Sequence, residues 1–345
     1  MWRWLVLLLL VACTAPRVNA PMSSPGDNDD TRSVADTLTP ETSPITLRRN
    51  PLADEYFWLR AKALEGEAPA PFEDALAAMQ AIRADFAGDP TAWEDLEVPL
   101  GVVDHARELR RIYEDLPAAR EVAGRSVPLR AHAVRLARAM EATEKDFRAG
   151  PFKDHAQAIA SAAHDLTTSL LPHLDGVLAA IEADMAMPGL GVKLPLVVTL
   201  VSDAPYPGIF AADARGRASA SFVRVRGLEG TSLVETVLHE SLHAIDELTV
   251  RSPTAMNLLR GALTKRGMDE TDPNVEMAVN TVTFAEAASL VRRYVDAHHR
   301  PMGESGFYTL YPPAPEIVAA WQRHLDGGEA LDVTADAIAK AVAAQ

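Results

Sequence analysis

The stretch from Ser232 to Leu248, SLVETVLHESLHAIDEL, decides how this chain is interpreted. Apolar residues recur in it at spacings of three and four, which predicts one face of a buried helix. They are Leu233, Val234, Val237, Leu238, Leu242 and Ile245. Glu235 stands three residues after Ser232, a capping-box pattern that predicts the start of the helix. The polar residues His239, Glu240 and His243 interrupt the apolar stripe and require an explanation.

The three polar residues form an H-E-x-x-H motif. His239 and His243 are one helical turn apart and share a face. Two imidazoles at this spacing can bind one Zn²⁺, and Glu240 beside the first ligand can reach a metal-bound water as general base. A pair of core histidines, hydrogen-bonded to backbone or carboxylate, is the alternative that stays open.

A third protein ligand is needed, because catalytic zinc sites combine three protein ligands with a water. Glu286 lies beside an apolar helix face in NTVTFAEAASLVRRYV, where a carboxylate without a partner would be costly. This makes Glu286 the predicted ligand. Glu270 and Glu276, in the link GMDETDPNVE, are less favoured because they look solvent-exposed.

Asp246 stands three residues after His243. Its carboxylate could accept a hydrogen bond from a liganding imidazole and so orient it. A solvated surface carboxylate next to Glu247 is the other interpretation, and the sequence leaves both open.

Composition limits the class of protein. The chain has 345 residues, 48% hydrophobic and 23% charged, as in a soluble globular protein of about two domains. Its formal charge of −15 argues against nucleic acid as a partner. Cys13 is the only cysteine, so neither a disulfide within the chain nor a second thiolate exists.

The N-terminus, MWRWLVLLLLVAC, has a basic head and an apolar run too short to span a bilayer, which predicts a signal peptide over residues 1–12. Its last four residues resemble the lipobox of bacterial lipoproteins, in which the cysteine is lipidated. We therefore expect a lipid anchor at Cys13 and a periplasmic or outer-membrane location in the cell envelope. A secreted protein with an unmodified Cys13 is the alternative.

The rest of the chain divides by composition. Residues 13–50 are rich in Pro, Ser, Thr and Asp and predict a flexible tether. Residues 51–187 show helical periodicity and predict a helical domain. Residues 188–345 predict an α+β catalytic domain, so that the whole chain is α+β and mostly helical.

Two strands are predicted before the motif helix, in KLPLVVTLVSD and ASASFVRVRGL. In the second, Val223 and Val225 alternate with Arg224 and Arg226, which predicts an arginine face in water. Phe222 falls on that face and is an exception to the pattern. We expect residues 221–226 to form an edge strand that could align an extended substrate.

The motif also carries a family resemblance. HESLHAID, followed by FAEAASLVRRYVDAH and APEIVAAWQRHL, resembles the C-terminal catalytic domain of anthrax toxin lethal factor and its relatives, including the secreted Pro-Pro endopeptidases. The resemblance covers about residues 200–325. It implies a zincin fold of the gluzincin type, peptide hydrolysis, His239, His243 and Glu286 as Zn²⁺ ligands, and Glu240 as base.

One departure from that family concerns the oxyanion. The family has a tyrosine a few residues before its glutamate ligand, whereas the corresponding stretch here, MAVNTVTF, has none. Tyr308 and Tyr311, in GFYTLYPP, are possible substitutes. Packing against the neighbouring prolines is the other role open to them.

The sequence as a whole therefore predicts a zinc metalloendopeptidase, a hydrolase of the cell envelope acting on a peptide or protein substrate. The alternative is a catalytically degenerate zincin-fold lipoprotein that acts as a binding or scaffold protein.

Overall fold

Helices dominate the fold, as the sequence predicts. The computed structural model describes residues 36–39, 43–87, 91–187, 196–212, 219–248, 254–269 and 272–344. It is 66% helix with a small mixed sheet, which confirms the mostly helical α+β class. The predicted signal peptide and the predicted lipidation site Cys13 lie outside the described residues.

The helices of the described residues are numbered in chain order. They are α1 (Pro51–Glu65), α2 (Glu73–Asp85), α3 (Thr91–Glu97), α4 (Ala106–Glu114), α5 (Leu129–Ala149), α6 (Pro151–Ser169), α7 (Leu174–Asp184), α8 (Gly230–Leu248), α9 (Ala255–Lys265), α10 (Pro273–Tyr294), α11 (Phe307–Leu310), α12 (Ala314–Leu325) and α13 (Leu331–Ala343). Among these residues, no helix combines the length and apolar character that crossing a membrane requires.

The main sheet has five strands in the order β1-β2-β5-β7-β6. The strands are β1 (Asp36–Thr37), β2 (Ile45–Arg49), β5 (Leu196–Val201), β6 (Gly208–Ala212) and β7 (Ser219–Arg224), while β3 (Arg120–Val122) and β4 (Arg125–Val127) form a separate hairpin. Strands β2, β5 and β7 run parallel, and β1 and β6 are antiparallel to their neighbours.

The two predicted strands exist as β5 and β7, but the predicted edge position is wrong. Strand β7 lies inside the sheet, between β5 and β6. The edge strand beside it is β6, which the sequence analysis did not recognise. Its five residues, GIFAA, offer too short a pattern to be separated from a loop.

The predicted arginine face is in water only at Arg226, whose side chain is 58% exposed. Phe222 is 1% exposed and its ring lies 4.7 Å from that of Phe57 in α1. Arg224 is only partly exposed and donates a hydrogen bond to the carbonyl of Ala204. Helices from the first half of the chain cover this face, so Phe222 was the residue that indicated the true environment.

The predicted tether extends too far into the fold. Ile45 and Leu47 of β2 are each 1% exposed, and the strand pairs with β5 along five residues. Asn50 then caps α1, because its side chain accepts hydrogen bonds from the backbone N–H groups of Leu52 and Ala53. Residues 45–50 therefore belong to the folded body.

The sheet separates two hydrophobic cores. Helices α1 to α5 pack on one face with Val201, Ile209, Ala220 and Phe222. Helices α6 to α10, α12 and α13 pack on the other face with Leu200, Phe210 and Val223. Since α6 and α7 belong to the second core, the packing divides at the sheet and not at the predicted boundary near residue 187.

A buried hydrogen-bond network joins the two sides. The Asp54 carboxylate in α1 lies 2.6 Å from Nδ1 of His155 in α6, and it accepts a hydrogen bond of 2.5 Å from the backbone N–H of Ser202 after β5. Burying this carboxylate is tolerable because both of its oxygens have partners.

Candidate metal centre

Helix α8 carries the H-E-x-x-H motif on the side that faces the second core. It begins at Gly230, two residues before the predicted start. Glu235 does not complete a capping box. Its carboxylate lies 2.5 Å from Nε2 of His299 and accepts hydrogen bonds from the backbone N–H of Met302. His299 is thus buried.

The two motif histidines converge. Their Nε2 atoms are 3.1 Å apart, and both side chains are buried. Two nitrogen ligands of one tetrahedral zinc, each at about 2.05 Å from the metal, would stand about 3.3 Å apart. The spacing of the two imidazoles therefore fits a shared metal ion.

Aromatic rings fix the orientation of both imidazoles. The ring of Phe284 in α10 stacks on His239 at 3.9 Å between centroids, and Phe210 in β6 stacks on His243 at 5.8 Å. In the described part of the chain, Nδ1 of His239 has no hydrogen-bond partner. Packing against Phe284 holds the first histidine in place, and the backbone of Thr283 also contacts its side chain.

Asn280 of α10 adds an oxygen to this pair. Its Oδ1 lies 3.1 Å from Nε2 of His243, and its side chain is also in hydrogen-bond contact with His239. Asn280 and Phe284 are four residues apart on α10 and so lie on the same face of that helix. This face of α10 contacts the histidines of the motif.

Burial keeps the imidazoles neutral. It is the largest cause of the lowered pKa of His239, and the nearby His243 lowers that pKa further. Burial also lowers the pKa of His243, although the charge of Asp246 opposes the shift. Neutral imidazole is the form that binds metal, so both side chains are in the state that a metal site needs.

Glu240 is held against the edge strand. Burial raises the pKa of its carboxyl to about 8, and Oε2 has no hydrogen-bond partner among the described residues. The carboxyl fits only because residue 208 is glycine, since a Cβ at Gly208 would overlap Oε1. Oε1 lies 4.0 Å from Nε2 of His239, but a buried oxygen without a partner, such as Oε2, is costly and indicates that a ligand or water belongs beside it.

Glu286, the predicted third ligand, has other partners. It is 0% exposed, its Oε2 accepts a hydrogen bond of 3.0 Å from Nε1 of Trp321, and its Oε1 lies 3.3 Å from Arg293. Burial first, and then the charge of Asp184, raise its pKa to about 8. No three His, Cys, Asp or Glu side chains of the described chain are grouped to hold a metal, so Glu286 does not join the histidines.

Two other predicted carboxylates are buried. Glu276 is 6% exposed, contrary to the exposure expected from the sequence, and burial raises its pKa to about 7. Asp246 is also buried, and its two oxygens accept hydrogen bonds of 3.1 and 2.6 Å from Arg260. Asp246 is therefore not a solvated surface group, and its charge acts on His243. Glu270 lies outside the described residues.

The two candidate tyrosines differ. The hydroxyl of Tyr311 donates a hydrogen bond of 3.2 Å to the carbonyl of Asn274. The hydroxyl of Tyr308 is buried and, in the described chain, has no partner. Tyr308 follows Phe307, whose ring lies 5.0 Å from that of Phe284 above His239. Of the two, only Tyr308 has a hydroxyl without a hydrogen-bond partner among the described residues.

Three site residues escaped the sequence analysis. Asn280 lies in MAVNTVTF, a stretch that drew attention only because it lacks a tyrosine. Phe284 was assigned only to the apolar face beside Glu286. Gly208 carries no local signal, because its role depends on how close α8 approaches β6.

Comparison of the chain with known protein families, with curated proteins and with solved structures found no match in any of the three.

Proposed function

We propose that this protein is a zinc-dependent peptidase, with His239 and His243 as metal ligands and Glu240 as general base. The observation that carries the proposal is the convergence of two buried, neutral imidazoles at 3.1 Å beside the Glu240 carboxyl, whose Oε2 has no hydrogen-bond partner among the described residues. The resemblance of HESLHAID to the lethal factor family supports the same reading, including a zincin fold.

The site residues would have separate roles in the reaction. His239 and His243 would hold the ion, with their rings fixed by Phe284 and Phe210. Bound zinc supplies a Lewis acid that lowers the pKa of a coordinated water. Glu240 accepts the proton of the attacking water and returns it to the leaving amine nitrogen. His239, Glu240 and His243 are all buried, and a site shielded from bulk water strengthens each electrostatic interaction.

The outer edge of β6, which pairs with no described strand and is called its free edge below, offers a place for an extended substrate. In an antiparallel pair, residues alternate between facing the partner strand and facing away. The backbone N–H of Arg224 donates to the carbonyl of Pro207, so Gly208, Phe210 and Ala212 direct their backbone groups to the free edge. A peptide pairing there would lie beside Glu240. A bound peptide whose backbone paired elsewhere would contradict this alignment.

The proposed setting follows from the N-terminal sequence. Lipidation at Cys13 would anchor the protein in the cell envelope, so that its substrate would be an exposed peptide or protein of that compartment. Nucleic acid is not proposed as a partner because of the formal charge of −15.

The Glu240→Gln variant tests the proposal. We expect it to bind zinc as the unchanged protein does and to lose hydrolysis by about 100-fold or more, because general-base catalysis contributes 10²–10⁴-fold. The measurement is the release of new N-termini from a proteome-derived peptide mixture, read by mass spectrometry, with zinc content measured in parallel. The control is Glu55→Gln, a buried glutamate of the other core. Equal cleavage by both variants would contradict the role of Glu240.

A second function is supported by the burial of the site. His239, Glu240 and His243 are all buried, and Glu286 is engaged by Trp321 and Arg293. These observations favour a degenerate zincin-fold lipoprotein that binds a partner. In that case Glu240→Gln would leave the cellular role of the protein unchanged, whereas a peptidase would lose it.

A further inference from the structure

Two histidines are one protein ligand short of a catalytic zinc site. We infer that the side-chain oxygen of Asn280 is the third protein donor. This assignment rests on the proposed function, because it presumes that the histidine pair binds a metal. In this assignment the third metal ligand is the amide oxygen of Asn280, where the sequence analysis predicted the carboxylate of Glu286.

The distances support a three-donor set. Nε2 of His243 is 3.1 Å from Nε2 of His239 and 3.1 Å from Oδ1 of Asn280, and the Asn280 side chain also contacts His239. Donor atoms around one tetrahedral zinc stand about 3.3 Å apart. The three side chains come from two helices, α8 and α10, that pack directly on each other.

The carboxylates on α10 are directed elsewhere. Six residues separate Asn280 from Glu286, which is a rotation of about 240° around a helix axis, so the two cannot share one face. Glu286 instead meets Trp321 and Arg293. Glu276 lies one turn before Asn280, where Asp246, Glu247 and Arg260 act on its charge. Neither carboxylate groups with the histidines in the described chain.

An amide donor has a chemical consequence. The oxygen of Asn280 is neutral, so three neutral donors would leave the full double charge on the ion. A carboxylate at the same place would neutralise part of that charge and bind more tightly. We therefore expect metal affinity to rise when the amide becomes a carboxylate of the same shape.

The test measures metal binding, not activity. The full chain and the variants Asn280→Ala, Asn280→Asp and Glu286→Gln are titrated with Zn²⁺ against a chromophoric chelator. Each is also titrated with Co²⁺, whose d–d absorption bands report the donor atoms. Circular dichroism checks that each variant is folded.

The expected pattern is specific. Asn280→Ala should lower zinc affinity by more than about 100-fold, because groups that only support a ligand are worth 10–100-fold. Asn280→Asp should raise affinity and shift the Co²⁺ bands, while Glu286→Gln should change neither. If Asn280→Ala does not fold, the Co²⁺ absorption bands of Asn280→Asp decide whether residue 280 is a donor. A residue outside the coordination sphere would not shift these bands.

Two failures are distinguishable. If the unchanged chain binds one zinc and the Asn280 variants leave affinity and bands unchanged, Asn280 is not a donor, although the proposed function survives. Loss of zinc in Glu286→Gln would assign the third position to Glu286. If the unchanged chain binds no zinc, both the proposed function and this assignment are overturned.

Discussion

At Gly208, the absence of a side chain is what leaves room for the Glu240 carboxyl. Gly208 and Phe210 lie two residues apart on β6 and so share the strand face towards α8, where Phe210 stacks on His243. One short strand therefore shapes the surroundings of both the proposed general base and a proposed ligand.

The Gly208→Ala variant tests this close approach. The added methyl would displace the Glu240 carboxyl, and a shift of about 1 Å in a reacting group costs on the order of 100-fold in rate. We expect peptide cleavage to fall by about that factor while zinc content stays at the level of the unchanged protein.

Gly261→Ala is the matched control for that substitution. Nothing lies within 4 Å of a Cβ at Gly261, which is inside helix α9. Alanine there should leave cleavage unchanged and stabilise the protein by about 0.5–1 kcal/mol. Similar cleavage by the two variants would show that Glu240 does not depend on Gly208.

Between elements, buried acids join the first-half helices. Glu55 of α1 accepts a hydrogen bond of 2.7 Å from the hydroxyl of Thr143 in α5. Burial raises the pKa of Glu55 to about 8, and the Thr143 hydrogen bond opposes this in part. The packing of α1 on α5 therefore favours a protonated Glu55.

This contact predicts a pH dependence of stability. The unfolded chain loses the Glu55 proton near its ordinary value of 4.5, whereas the folded chain keeps it up to about pH 8. The unfolded state thus binds fewer protons between these values, and stability falls as pH rises. Glu55→Gln keeps an acceptor for Thr143 and should remove this loss, so that its free energy of unfolding exceeds that of the unchanged chain by about 1–3 kcal/mol at pH 8.

Urea unfolding at pH 5.5 and pH 8 measures the difference. Glu67→Gln, an exposed position after α1, serves as control and should leave the pH dependence as it is. If the free energy of unfolding of Glu55→Gln falls between the two pH values as steeply as that of the control, Glu55 is ionised in the folded protein.

In the whole molecule, both hydrophobic cores pack against the same sheet. Its two faces pack against different sets of helices, and β2 supplies Ile45 and Leu47 to the core that also holds α8. Residues just before the first helix are therefore part of the same fold as the candidate metal centre.

Removing β2 tests this architecture. A chain beginning at residue 51 loses the burial of Ile45 and Leu47, about 1.5–3 kcal/mol each, and its pairing with β5. Relative to a chain beginning at residue 36, we expect the midpoint of thermal unfolding to fall by about 10 °C or more.

Point variants separate the strand from the truncation itself. Leu47→Ala should cost about 2–5 kcal/mol, whereas the neighbouring, partly exposed Thr46→Ala should cost much less. Equal melting of the two truncated chains, or of the two point variants, would mean that residues 45–49 do not stabilise the fold.

Local pattern by itself determined much of this protein. The spacing of His239 and His243 put both imidazoles on one face of a helix, because that relation depends only on 3.6 residues per turn. Apolar periodicity likewise predicted the helices. A run of Leu, Val and Thr predicted β5, and the alternation of Val with Arg predicted β7. These features are set by neighbours within a few residues.

Only the tertiary structure decided what meets the motif. The rotation of α10 against α8 decides which of its residues face the histidines. This rotation places Asn280 and Phe284 at the imidazoles and directs Glu286 to Trp321. The edge position of β6, and the covering of Phe222 by α1, depend on segments far apart in the chain. Such contacts follow from the packing of whole elements, and no local pattern encodes them.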